Sequence, residues 1–264
     1  MNLGIVGNGA MGCVVREMAQ KDERIKHVFM IDPAAGESLF DVPRVDMVID
    51  FSHPDALSGI CDYLRQQKGS CGVVFATTGF TPEDEKNIRQ LAEVAPVIKS
   101  SNYSYGVNTL KRILQQAVPL LADRADIEII EKHHSRKTDA PSGTALMLAD
   151  LCDPQETKSR VYGRFGAAKR SGEIGMHSIR GGTIFGEHSV IFAMKDEIIE
   201  LKHTAYSKNI FARGAIEAAV WLKGKPPGLY PLEDVFYLRK AEFVVKQWLY
   251  TSKGKERGPI WKLN

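Results

Sequence analysis

Six residues near the start of the chain limit its fold more than any others. Gly7-Asn8-Gly9-Ala10-Met11-Gly12 is a complete G-x-G-x-x-G. It follows the apolar run LGIVG at 3–7 and opens the helically spaced CVVREMA at 13–19. A strand, a glycine turn and a helix in that order start a parallel sheet whose first helix receives a phosphate at its N-terminus. Gly7 permits the tight turn, Gly9 lets the backbone approach a pyrophosphate, and Gly12 allows close helix–strand packing. Asp32 ends the next apolar run, 20 residues past Gly12, where a carboxylate accepts hydrogen bonds from ribose hydroxyls. The segment predicts a dinucleotide site with cofactor contacts from Gly7 to Gly12 and at Asp32. Asp32 repels a 2′-phosphate, and Pro33 stands where an arginine would receive one, so NADH is expected in preference to NADPH. Arg16 is a cation that leaves NADPH open.

The pattern continues with apolar runs at 46–52, 72–79 and 95–99 and helical spacing at 54–68 and 82–95. Such alternation predicts an α/β, Rossmann-like unit with a parallel sheet covered on both faces. Thr77-Thr78-Gly79 leaves the fourth strand at its carboxyl end, where ligands bind in these sheets. After about residue 105 the pattern changes. A long amphipathic helix near 106–123 is followed by a strand at 126–134 and a helix at 143–152. A polar, Gly/Arg-rich stretch at about 153–175 reads as a long loop. Three strand-like runs at 176–180, 188–194 and 197–204 then predict an antiparallel or mixed sheet. A last helix at 208–224 ends at glycine, with Pro226 and Pro227 beyond it.

Composition excludes several classes. The 264 residues are 44% hydrophobic and 25% charged, so the chain is globular with a sizeable core. It has no run of 18 apolar residues and no secretion-signal pattern, so no membrane partner and a cytoplasmic location are expected. Four cysteines form no C-x-x-C pair and read as free thiols. Net charge is +3, but residues 237–264 carry seven Lys/Arg and two Glu, which leaves −2 on the rest. A basic tail without a basic face predicts no nucleic-acid partner.

The richest segment is Glu131-Lys132-His133-His134-Ser135-Arg136-Lys137-Thr138-Asp139-Ala140-Pro141-Ser142-Gly143-Thr144-Ala145. It leaves a strand, carries five basic or imidazole groups within six residues, and enters a helix that Ser142 or Thr144 can cap. Free N–H groups at a helix start beside His134 and Lys137 make an anion site. A small dicarboxylate fits both halves of it, and the paired imidazoles can supply protons near neutral pH. No metal site is expected. His133 and His134 are adjacent on a strand and point to opposite faces.

These residues resemble a family. E-x-H-H-x-x-K-x-D-A-P-S-G-T-A is similar to the signature of the 4-hydroxy-tetrahydrodipicolinate (dihydrodipicolinate) reductases. GIVGNGAMG, DFSHP, ATTGF, SNYSYGVN, GEHSV and FARGAIEAAVWLKGKPPGLY also match family segments in family order, over roughly 1–236. The resemblance implies NAD(P)H-dependent reduction of a cyclic imine dicarboxylate in the diaminopimelate route to lysine. It implies a dinucleotide-binding domain from 1–104 with 213–264, and an α+β substrate domain over 105–212. The open mixed sheet of that second domain pairs subunits into a homotetramer. His133 and Lys137 match the catalytic groups, and His134, Ser142, Gly143 and Thr144 the substrate contacts. Ala76, Thr77 and Thr78, with Ser100, Ser101, Asn102 and Tyr103, match two loops around the nicotinamide. Lys208 stands where many members have an arginine near the substrate.

Two other readings fit the glycine turn. One is a different Rossmann oxidoreductase, which has no need for the His-His-x-x-Lys and Pro-Ser-Gly-Thr pair. The other is a non-catalytic dinucleotide-binding regulator, which needs no proton donor. The tail from 237 exceeds the family end. AEFVVKQWLY at 241–250 has an apolar stripe expected to dock on the fold or a neighbouring subunit, with a polar link after it.

Overall fold

Short β-branched runs build the first sheet. In the computed structural model, which describes residues 1–237, β1 (Asn2–Val6) leads through the glycine turn into α1 (Ala10–Ala19). β2 (His27–Ile31), β3 (Met47–Asp50), α2 (Leu57–Gln66), β4 (Gly72–Phe75), α3 (Pro82–Leu91) and β5 (Pro96–Lys99) follow. β3 and β4 are buried along their whole length, which is why they read as unbroken apolar runs. α3 is started by a capping box between Thr81 and Asp84, with Pro82 in its first turn.

The chain then passes into α4 (Tyr105–Leu121), β6 (Asp126–His133) and α5 (Gly143–Cys152). β7 (Arg160–Tyr162), β8 (Ile174–Arg180), β9 (Gly186–Met194) and β10 (Glu197–Ala205) complete a five-stranded mixed sheet of order β10-β9-β6-β8-β7. β7 corrects the expected loop at 153–175. It is only three residues long and pairs parallel with β8, so alternation had no length over which to show.

α6 (Asn209–Leu222), β11 (Gly228–Tyr230) and α7 (Leu232–Tyr237) close the described chain. β11 pairs parallel with β5 and makes the first sheet six-stranded, in the order β11-β5-β4-β3-β1-β2. Sequence reading placed no element between Pro227 and the tail stripe, and so missed both β11 and α7. The tail stripe at 241–250, expected to dock, lies outside the described residues.

The parallel sheet is packed on both faces. Ile60, Leu64, Ile88 and Leu91 from α2 and α3 meet Val73, Phe75 and Val97 on one. Val15 and Ala19 from α1, with Ala215 and Leu222 from α6, meet Leu3, Ile5, Val74 and Ile98 on the other. α4 and α5 cover one face of the mixed sheet, where Leu114 and Leu148 contact Ile129, Met176 and Phe192. Among the described residues no helix is long and apolar enough to cross a membrane.

Candidate active site

Steric constraints fold the glycine turn. Gly7 has φ +104, and a Cβ there would lie 2.3 Å from the Phe51 carbonyl oxygen. A Cβ on Gly12 would lie 1.8 Å from the carbonyl oxygen of Gly7. Gly9, by contrast, meets nothing within 4 Å and is exposed. It is also the N-cap of α1 and makes no side-chain cap bond, so the first-turn N–H groups keep their capacity for an anion. Asn8 and Ala10 are exposed beside it, and Met11 is half-buried. A cavity of about 610 Å³ runs from Gly7 and Gly9 past Asp32 to Phe51 and Ser52. These features fit a dinucleotide pyrophosphate.

Asp32 caps the short turn that follows β2. Its Oδ1 accepts from the Ala34 N–H (3.1 Å), and its own N–H donates to Glu37 Oε2 (2.8 Å). Glu37 thus puts a second carboxylate beside Asp32, which the sequence reading did not anticipate.

The loops after β3 and β4 are tied together beneath this cavity. Thr77 is buried, and its Oγ1 accepts from the Ser52 N–H (2.9 Å). Asp50 accepts from the Ser52 N–H (3.1 Å) and hydroxyl. Burial pushes the Asp50 carboxyl up to about 6, against the pull of hydrogen bonds from Ser52 and Thr77. Ala76 is anchored by its N–H on the Asp50 carbonyl (2.9 Å), and Thr78 is exposed. In the loop after β5, Ser100 donates to the Asn102 carbonyl (3.1 Å), and Ser101 is exposed. Tyr103 can meet a cofactor only through its backbone. Its ring is 1% exposed and its hydroxyl donates to the Phe75 carbonyl (2.7 Å), so the side chain supports this loop from the core.

The second cluster grows from β6. Residues two apart on a strand share a face, so Glu131 and His133 meet, with His133 Nδ1 2.5 Å from Glu131 Oε2. Arg180, at the end of the neighbouring β8, donates to both oxygens of Glu131 (2.8 and 2.6 Å). The Ser142 N–H donates to Glu131 Oε1 (3.2 Å). Burial raises the Glu131 carboxyl, but hydrogen bonds from Arg180, Ser178 and His133 overcome it and hold it at about 2. Burial lowers the pKa of His133, more than the Glu131 carboxylate restores it. With Nδ1 on a carboxylate, Nε2 is the nitrogen left for a ligand, and it lies 3.2 Å from where a Cβ would stand on Gly186.

Lys137 Nζ grips both oxygens of Asp139 (2.7 and 2.8 Å). The carbonyl of Asp139 accepts from Arg180 (2.5 Å), so one guanidinium joins the two basic groups. Ser142 alone is the N-cap of α5. Its Oγ accepts from the Ala145 N–H (3.2 Å) and lies 2.9 Å from His188 Nε2. Thr144, expected as a second cap, instead accepts from Asn102 Nδ2 (3.3 Å). Gly143 is exposed at the helix start, with nothing within 4 Å of its Cβ position. His134 shares this turn, its carbonyl accepting from the Lys137 N–H (3.1 Å), and its Nδ1 is buried without a partner. His188 is buried edge-on to His133, centroids 5.1 Å apart, and burial lowers its pKa to about 4. Lys208 is exposed at the N-cap of α6.

The structure therefore brings His133, Lys137 and Ser142 into one network and joins Thr144 to the loop carrying Asn102. Sequence reading gave no role to Glu131, Arg180, Asp139, His188 or Asp50. Glu131 and Asp139 had a local signal, each standing two residues from the basic group it holds.

Two family models match the chain in consecutive blocks. A model described as dihydrodipicolinate reductase, N-terminus, matches residues 1–103, and one described as dihydrodipicolinate reductase, C-terminus, matches 106–236. The chain belongs to the dihydrodipicolinate reductase family. A 4-hydroxy-tetrahydrodipicolinate reductase of Exiguobacterium sp. strain AT1b is 45% identical over 243 residues, 89% of this chain and 96% of the relative. The Clostridium novyi reductase is 42% identical over 241 residues, covering 86% and 94%. Among solved structures, the dipicolinate-bound dihydrodipicolinate reductase from Paenisporosarcina sp. TG-14 shares the fold. Its TM-score is 0.69 at 21% identity, over 88% of this chain and 97% of that one. A probable dehydrogenase from Thermotoga maritima aligns with TM-score 0.55 at 12% identity, covering 89% and 92%.

Proposed function

We propose that the chain reduces 4-hydroxy-tetrahydrodipicolinate to tetrahydrodipicolinate with a nicotinamide dinucleotide, in the diaminopimelate route to lysine. One observation carries this reading beyond family membership. The Glu131-held His133 sits beside the Ser142-capped start of α5, in a chain that also carries the open glycine turn. The bound cofactor supplies the hydride. The N–H groups of Gly143 and Thr144, at a helix start where no earlier carbonyl reaches them, hold one substrate carboxylate together with Ser142 and His134. Lys137 supplies positive charge to the second half of the dicarboxylate. His133 passes the proton that completes reduction through Nε2.

Finer assignments belong to the same reading. NADH is used in preference to NADPH, because Asp32 lines the glycine-turn cavity with Pro33 beside it, and Glu37 adds a second carboxylate at the Asp32 N–H. Residues 1–104 with 213–264 serve the cofactor, and 105–212 serve the substrate and subunit pairing. The enzyme is a cytoplasmic homotetramer. The mixed-sheet face turned away from α4 and α5 supports pairing, since it exposes Ile179 (45%) and Ile198 (67%).

The test is steady-state kinetics beside direct NADH titration. His133→Ala and Lys137→Ala should each lower kcat by about 10²–10⁴, the usual range for an acid–base group, with NADH affinity near wild type. Near-wild-type turnover in either variant would remove that residue from the chemistry.

A further inference from the structure

Arg180 lies at the centre of a chain of contacts that joins the two groups just named. From His133 Nδ1 it runs to Glu131 (2.5 Å), then to the Arg180 guanidinium (2.6 and 2.8 Å). From Arg180 it continues to the Asp139 carbonyl (2.5 Å), and the Asp139 carboxylate meets Lys137 Nζ (2.7 and 2.8 Å). The strand and the loop thus meet at one planar cation. Glu131 is 1% exposed, so its charge has little help from water. Arg180 is itself mostly covered, at 18%. We infer that Arg180 is a positioning residue for the reduction, which sets His133 and Lys137 at a fixed spacing through Glu131 and Asp139. This rests on the proposed roles of His133 and Lys137.

The geometry needs an arginine. A guanidinium offers donors in a fixed planar fork and can serve two acceptors in different directions, whereas an ammonium is a single point charge. Here one fork edge takes the Glu131 carboxylate and another N–H takes the Asp139 carbonyl. Without the guanidinium, Glu131 still holds His133 and the Ser135 N–H still meets the Gly182 carbonyl (3.2 Å), but the Asp139 end of the loop, which grips Lys137, loses its tie to β8.

The charge relationships give a signature that packing alone would not. The groups facing His133 are Glu131 on its own strand, Arg180 on β8, Lys137 on the following loop and His188 on β9. Glu131 favours the imidazolium; Arg180 and Lys137 oppose it. Removing Arg180 should therefore raise the His133 pKa, and neutralising Glu131 should lower it. A residue that merely stabilises the fold gives no such pair of opposite shifts.

The experiment follows the imidazole titration of His133 by NMR, alongside kinetics, in wild type, Arg180→Met, Arg180→Lys and Glu131→Gln. Arg180→Met should move the His133 midpoint up, and Glu131→Gln should move it down. Arg180→Met should also lower kcat by about 100-fold, the cost of a small misplacement of reacting groups, with NADH binding unchanged. Arg180→Lys should restore the midpoint but not kcat, because it returns the charge without the fork; it also serves if Arg180→Met fails to fold. Unmoved midpoints, or full recovery of kcat in Arg180→Lys, would overturn the inference. The NMR readout needs no turnover. If His133→Ala kept activity while the midpoints moved as stated, the catalytic role of His133 would fail and its coupling to Arg180 would stand.

Discussion

Asn102 Nδ2 donates to Thr144 Oγ1 over 3.3 Å, joining the loop that leaves the parallel sheet to the first turn of the helix on the mixed sheet. In the proposed reading, the first residue lines the nicotinamide and the second lines the substrate. Asn102 is further fixed by its Oδ1, which accepts from the Ser104 N–H (2.9 Å). Substrate and cofactor loops are thus held in register by one neutral hydrogen bond, worth about 0.5–1.5 kcal/mol.

Asn102→Ala and Thr144→Val should therefore each lower kcat/KM by up to about tenfold, in line with that energy. The double variant should lose little more than the worse single one, because the two changes remove one shared contact. Additive losses would show that the bond does not couple the loops.

Gly9→Ala and Gly12→Ala should separate binding from folding. A methyl at Gly12 meets the Gly7 carbonyl at 1.8 Å, so the turn or α1 must shift. Overpacking of this kind costs about 1–3 kcal/mol, which should appear as a lower Tm together with weakened NADH binding. At Gly9 a methyl meets no protein atom. Its Tm should stay near wild type while NADH binding falls, read by calorimetry of both variants. A drop in Tm for Gly9→Ala would contradict the open cradle.

Acid stability should show two opposed contributions. Asp50 titrates near 6 when folded, against an ordinary 3.8. Its ionised form burdens the fold above pH 6, and that burden is relieved as pH falls from about 6 towards 4, by about 3 kcal/mol. His188 runs the other way, from an ordinary 6.5 to about 4 when folded. Its stabilising contribution is complete above 6.5 and is lost as pH falls towards 4, again by about 3 kcal/mol. Wild type should change little from these two groups between pH 6 and 4. Asp50→Asn should become more acid-sensitive in that window, and His188→Asn less so. Denaturant unfolding at several pH values reads both, and parallel curves for the two variants would refute the assignment.

Cofactor choice should follow Asp32 and Glu37. NADH should give a kcat/KM at least equal to that of NADPH, compared at one salt concentration because phosphate contacts are screened. Pro33→Arg should move the ratio towards NADPH by placing a cation beside the 2′ position. A strong NADPH preference in the wild type would mean that another cation, such as Arg16, overrides both carboxylates.

The parts of this molecule with a local physical cause were legible in its sequence. The Gly7–Gly12 turn, the buried parallel strands and the capped start of α5 each follow from neighbours in the chain. β7 and β11 were not legible, since three-residue strands carry no period and are defined by the partner they pair with. Arg180 was hidden for a related reason. It lies 49 residues from Glu131 in the chain, and only the parallel register of β6 and β8 brings them together. The burial of Tyr103 was hidden too, because its loop matched a ligand-binding segment while its ring belongs to the core.

The return of α6 and β11 to the first sheet has a consequence for synthesis. A ribosome that has released only the first hundred or so residues has released five of the six strands of that sheet. It has not yet released Ala215, Ala219 and Leu222, which cover Leu3, Ile5, Val74 and Ile98. α1 covers part of that face early, through Val15 and Ala19, but the part under α6 stays bare until the whole mixed-sheet segment has followed it out. Completion of the parallel-sheet half thus waits on translation of the mixed-sheet half, and a message truncated between them yields a sheet with part of its apolar face open rather than a smaller finished protein.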